Sequence, residues 1–131
     1  MPSAADEVRH WVALSDGDLA AARDLLATGH AAHAVFCCQQ TVEKRLKALY
    51  LHRHGTEVPR THNLVALAAR LGLDLDESRA AVLADLARLY VASRYPDNGI
   101  GAALAQDLDR ARALSEAAEE MARWLDSLLS M

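Results

Sequence analysis

The sequence predicts an all-α fold: an up-down bundle of four to five helices in a single domain over residues 1–131. Three observations carry this. Ala and Leu supply 27 and 21 of 131 residues against 8 Val, 1 Ile and 4 Thr, which favours helix and leaves a sheet without its β-branched builders. Apolar residues recur at spacings of three and four along most of the chain. Gly and Pro fall in short clusters between these runs.

The elements follow in order. Ser3 with Asp6 three residues later is a relative of the capping box, and Val8, Trp11, Leu14, Ala22, Leu25 and Leu26 continue at helical spacing to Gly29. Gly17 interrupts this run, and a kink or break near Ser15 is expected there. A second helix spans about His30 to His54 and stops at Gly55, with Val35, Cys38, Val42, Leu46 and Leu49 as its core face. Glu43, Lys47 and Tyr50 form an adjoining stripe. Residues 55–61 are a loop because Gly55 and Pro59 forbid continuation. Thr61 is expected to cap a short third helix carrying Leu64, Leu67 and Leu71 up to Gly72. Asp76 is expected to cap a fourth, with Val82, Leu83, Leu86, Leu89 and Tyr90 facing inward. Residues 94–101, R-Y-P-D-N-G-I-G, read as a second loop. One long final helix then carries Leu104, Leu108, Ala111, Leu114, Ala118, Met121, Leu125 and Leu128 on a single stripe.

Composition also excludes function classes. No apolar run approaches the ~20 residues of a membrane span, and the chain opens with Ser3 and Asp6 rather than with a basic and apolar leader. Two adjacent cysteines, Cys37 and Cys38, make no disulfide framework. A reduced, cytoplasmic protein without membrane association is expected. The net charge of −4 is unevenly spread. Residues 1–30 and 104–131 each balance at −3, whereas residues 41–70 balance at +4 and hold both lysines of the chain. A basic segment within an acidic protein points to local anion recognition, or to a solvated helix face plus a loop.

Catalytic and metal signatures are sparse. His30, His33 and Cys37 share a helix face, but tetrahedral zinc wants a fourth ligand and one helix supplies no closed cage. Neither a metal nor a cofactor is expected. No G-x-S-x-G elbow, phosphate loop or dinucleotide fingerprint occurs. The informative stretch is A-V-F-C-C-Q-Q-T-V-E-K-R-L-K-A-L, residues 34–49. Gln40, Glu43 and Lys47 share one face there, with Lys44 beside them. Such a set can hydrogen-bond a nucleotide, an RNA phosphate or a partner helix, or it can be a Glu43–Lys47 pair supporting a solvent face; local spacing leaves both open.

That stretch, followed by P-R-T-H-N-L and R-Y-P-D and preceded by W-x-x-L and D-L-A-A-A-R-D-L-L-A-T-G, resembles the HEPN domain, the "higher eukaryotes and prokaryotes nucleotide-binding" superfamily. The likeness covers nearly the whole chain. It implies a four- or five-helix bundle, commonly homodimeric, in many prokaryotic members the partner of a minimal nucleotidyltransferase. Some members are metal-independent endoribonucleases that act as toxins. Their motif is an Arg, four to six residues, then a His. By position the Arg is Arg94, but no His follows it anywhere. Arg45 and His52 have the motif's spacing but lie outside its place in the family. Cleavage of RNA without a metal needs a group that moves protons near neutral pH, and His is the natural choice.

The sequence therefore favours a binding module over an enzyme. It is expected to dimerise and to bind a nucleotide, RNA or a nucleotidyltransferase through Gln40, Lys44, Lys47, His62, Arg94, Tyr95 and Asp97, in a toxin–antitoxin-like pair. The lysines, His62, Arg94 and Tyr95 are expected around one pocket. The alternatives are an endoribonuclease toxin using Arg94 with a His from elsewhere, His62 first, and a purely structural interaction domain.

Overall fold

A computed structural model describes residues 2–94 and 99–130. Among these residues there are six helices and no strand: α1 (Ala4–Ala27), α2 (Ala31–His54), α3 (Leu64–Arg70), α4 (Glu77–Arg94), α5 (Gly99–Ala105) and α6 (Leu108–Leu129). None of them is long and apolar enough to cross a membrane.

The helix boundaries follow local chemistry. At the start of α1, the Ser3 hydroxyl accepts from the Asp6 N–H while the Asp6 carboxylate accepts from the Ser3 N–H, a full capping box. The Ser3 and Arg9 bonds to that carboxylate hold Asp6 below its ordinary pKa. Helix α2 ends at Gly55, whose φ of 65° is left-handed backbone that a side chain would resist. Helix α1 runs unbroken through Gly17, contrary to the expected kink. The neighbours of Gly17 explain this: Ser15, Asp16 and Asp18 are all bonded to α2 side chains or backbone, so the helix is pinned on both sides of the weak residue.

Two further expectations need correction. The cap of α3 is Asn63, whose side chain accepts from the Ala66 N–H; the Thr61 hydroxyl accepts from the Asn63 N–H one step earlier. The single long final helix is two helices. Gln106 and Asp107 donate to the carbonyls of Ala103 and Leu104 in a tight turn, and Asp107 then caps α6 by accepting from the Arg110 N–H. Leu104 and Leu108 both still face inward across this break, so the apolar spacing alone could not reveal it.

Helix α2 is the axis of the bundle and packs against all five others. Val35, Cys38, Val42, Leu46 and Leu49 are each at most 1% exposed, which fits their expected role as core. The unexpected feature is how much of the rest of α2 is buried. Gln39, Thr41, Glu43, Arg45 and Lys47 all lie inside as well. Before its last turn, only a narrow stripe of α2, including His33, Cys37, Gln40 and Lys44, reaches solvent, so each polar group buried on its other sides needs a partner inside the protein. Among the described residues, no buried side-chain nitrogen or oxygen lacks one.

Candidate functional site

Two polar networks radiate from the middle of α2. Arg45 anchors the first. Its guanidinium donates to the Ser15 hydroxyl at 2.5 Å, to Asp16 at 2.7 Å and to Asp126 at 3.0 Å, and Ser15 in turn donates to the Thr41 carbonyl. These bonds join α1, α2 and α6. The two carboxylates raise the pKa of Arg45 although burial opposes them. Lys44 adds a pair to Asp18 at 2.6 Å on the same α1–α2 seam.

Glu43 anchors the second network. Its carboxylate is 3% exposed, accepts from Lys47 Nζ at 3.2 Å and Gln39 Nε2 at 3.0 Å, and lies 2.9 Å from His62 Nδ1. Gln39 is fully buried and fully used. Its amide nitrogen also donates to the His62 carbonyl, and its oxygen accepts from Gln40 Nε2. Lys47 Nζ lies 5.7 Å from the centre of the Trp11 ring, a cation–π contact with α1. The i,i+4 spacing of Gln39, Glu43 and Lys47 stacks them on one side of the helix, but that side is interior.

This network opens to the surface at His62. The imidazole is 62% exposed and stacks on Tyr90 of α4 at 5.7 Å. Phe36 of α2 stacks on the same Tyr90 at 5.6 Å, and the Arg94 guanidinium sits 5.6 Å from its centre. A cavity of about 290 Å3 lies beside this group, lined by His33, Phe36, Ser93 and Arg94. Helices α2 and α4 and the segment before α3 thus bring two aromatic rings, a guanidinium and a supported imidazole together. A wider groove of about 550 Å3 is lined by Glu7, His10, Trp11, Leu51, Glu57 and Val58; its charged groups are carboxylates, and neither Arg nor Lys lines it. His30 and His33 meet edge-on at 6.3 Å, and the described residues hold no cluster of three His, Cys, Asp or Glu side chains suited to a metal.

A family model for the HEPN domain matches residues 8–128. The chain belongs to the HEPN family. Among solved structures, TT1696 from Thermus thermophilus is similar, with a TM-score of 0.81 and 25% identity over 92% of this chain and 97% of that one. ST0689, described as an archaeal HEPN homologue, has a TM-score of 0.76 and 24% identity over 98% of this chain and 99% of that one. Comparison with curated proteins gave no match.

Seen as a HEPN domain, the chain distributes its sequence-singled residues unevenly. His62 and Arg94 come together, each against Tyr90. Gln40 is tied to Gln39 behind His62. Lys44 and Lys47 do not join Arg94 around a pocket: Lys44 is held by Asp18, and Lys47 is buried between Glu43 and Trp11. Tyr95 and Asp97 lie outside the described residues. Sequence reasoning did not single out Phe36, Ser93 or the buried Gln39 behind this surface, and it took Tyr90 for core. One signal was available: Tyr90 and Arg94 are i and i+4 on a helix, the spacing at which an aromatic ring and a guanidinium meet.

Proposed function

We propose that this HEPN domain binds single-stranded RNA or a nucleotide on the Phe36–Tyr90–His62–Arg94 surface, as a homodimer, in a cytoplasmic two-component system whose other member is a nucleotidyltransferase. The observation that carries the binding reading is the meeting of His62, Phe36 and Arg94 on one tyrosine ring. Aromatic faces take an unpaired base, each stacked base contributing roughly 1–3 kcal/mol, and a guanidinium beside them takes the phosphate. Arg94 has no ion-pair partner among the described residues.

The test is fluorescence anisotropy with a labelled oligoribonucleotide. Arg94→Ala and Tyr90→Ala are each expected to weaken binding about tenfold or more, with helical circular dichroism unchanged and with affinity falling as salt rises. Wild-type affinity in both variants removes the site. Light scattering at micromolar concentration is expected to give twice the 14.2 kDa chain mass.

A second reading, an endoribonuclease toxin, is favoured by one observation: a buried carboxylate holds an imidazole that stacks on the same tyrosine ring that an arginine contacts. Cleavage of mixed RNA that persists with a chelator and disappears in both His62→Ala and Arg94→Ala supports it. Intact RNA after prolonged incubation with wild type removes it.

A further inference from the structure

The Glu43–His62 contact does more than fasten the segment before α3. That segment is already held to α2 by the bond from Gln39 Nε2 to the His62 carbonyl. The imidazole makes a separate bond, and its chemistry fixes which ring nitrogen carries hydrogen. Glu43 receives an ammonium at Oε2 and an amide N–H at Oε1, so both of its oxygens act as acceptors. Ion-paired with the Lys47 ammonium, the carboxylate has no hydrogen to give, so His62 Nδ1, 2.9 Å from Oε1, is the donor. In a neutral imidazole whose Nδ1 carries the hydrogen, Nε2 has a bare lone pair. Nε2 makes no hydrogen bond among the described residues, on a ring that is 62% exposed and stacked on Tyr90.

A surface that stacks bases and holds phosphate is indifferent to the sugar, because neither ring faces nor guanidinium distinguish ribose from deoxyribose. A fixed acceptor at the edge of the stack is not indifferent. The ribose 2′-hydroxyl is both donor and acceptor, and it is the group by which proteins tell RNA from DNA. We propose that His62 Nε2, held as an acceptor by buried Glu43, receives a hydrogen bond from the ribose 2′-hydroxyl and makes this surface selective for RNA over DNA. Glu43 touches no ligand; it acts as a positioning residue through His62, with Lys47 and Gln39 completing its own partners. The inference rests on the binding reading above and adds the sugar specificity of the same site.

The experiment compares one labelled single-stranded sequence in three chemistries: ribose, deoxyribose and 2′-O-methyl ribose. The methyl ether keeps the ribose substituent but has no hydrogen to donate, so it separates hydrogen bonding from sugar shape. At about pH 8, wild type is expected to bind the ribose form about tenfold tighter than either other form, the effect of one hydrogen bond of ordinary strength. His62→Ala is expected to abolish this preference. Glu43→Gln is expected to reduce it, and Arg94→Ala to weaken all three ligands while preserving it. A long-range proton–nitrogen NMR spectrum of wild type is expected to show His62 protonated at Nδ1 and bare at Nε2.

Equal binding of the ribose and 2′-O-methyl forms overturns the proposal, as does a preference that survives in His62→Ala or a spectrum with the opposite tautomer. Binding without sugar preference sinks this inference alone and leaves the binding reading standing. Absence of binding by all three sinks both. His62 is an exposed loop residue, so the His62→Ala result stands even if Glu43→Gln fails to fold.

Discussion

Arg45 and Glu43 sit two residues apart on α2, both buried and both charged, yet they end in opposite places. Arg45 has a short, closed circle of partners: Ser15, Asp16 and Asp126, from the helices on either side. Its carboxylates are at the surface, 61% and 46% exposed, and its cation is inside. Glu43 reverses this polarity. Its carboxylate is inside, Lys47 is inside beside it, and the exposed member is His62. The first network fastens helices together. The second supports a side chain that faces outward, its Nε2 without a hydrogen bond among the described residues. Burial of charge is costly in both, and only the second reaches an exposed imidazole.

The sharpest way to break this contrast is to strand each buried charge. Replacing both Asp16 and Asp126 with Ala leaves Arg45 buried without a counterion and is expected to cost about 4 kcal/mol in urea unfolding. Arg45→Met removes the charge itself while the exposed carboxylates rehydrate, and about 1 kcal/mol is expected. If the Met variant is the less stable, the fastener reading is wrong. Next in size is Glu43→Ala. It strands Lys47 and removes the acceptor of Gln39, with an expected loss of about 3 kcal/mol. His62→Ala, at the outer end of the same network, is expected to cost no more than about 1 kcal/mol. A large loss there makes His62 a structural residue.

The smallest expected effect separates two neighbours on the same helix. Burial pushes the Cys38 thiol up to about 12, and it raises Cys37 as well, with Asp18 adding to the effect. A thiol reagent at about pH 8 is expected to label half-buried Cys37 first and Cys38 only upon unfolding. The linkage has a definite sign. The folded protein keeps the Cys38 proton where the unfolded chain has lost it, so this contribution is intact below pH 9.0 and falls away as pH rises towards 12. The unfolding midpoint of wild type is expected to drop over that range more than that of Cys38→Ala.

Most of the helical architecture was legible in residue spacing, because spacing reports which positions face inward. Val35 to Leu49 on α2 and Leu83 to Leu89 on α4 are core for that reason. Spacing was silent about the break between α5 and α6, since Leu104 and Leu108 keep the four-residue interval across a turn that Asp107 creates. It misled about α2's polar residues. Glu43 and Lys47 have the spacing of a solvent-face pair, and only the packing of other helices over them makes the pair interior. The meeting of His62 with Arg94 was named from the residue types but not visible in their order, because it depends on how α4 returns past the segment before α3. Tyr90 was read as core because an aromatic residue at a core spacing looks the same whether it closes the interior or floors a binding surface.

The Arg45–Asp126 bond spans 81 residues of chain, while α1 and α2 are joined by only three, Thr28 to His30. Closing a short loop sacrifices little chain entropy and closing a long one sacrifices more. The α1–α2 hairpin, with its Ser15 and Lys44 bonds already within reach, is therefore the natural early structure on the way to the native state, and α6 docks onto it afterwards. Time order thereby becomes a property of a single guanidinium. On that order Arg45 is expected to meet Asp16 before the folding barrier and Asp126 after it, and rapid-mixing kinetics should then show Asp16→Ala slowing folding and Asp126→Ala chiefly accelerating unfolding.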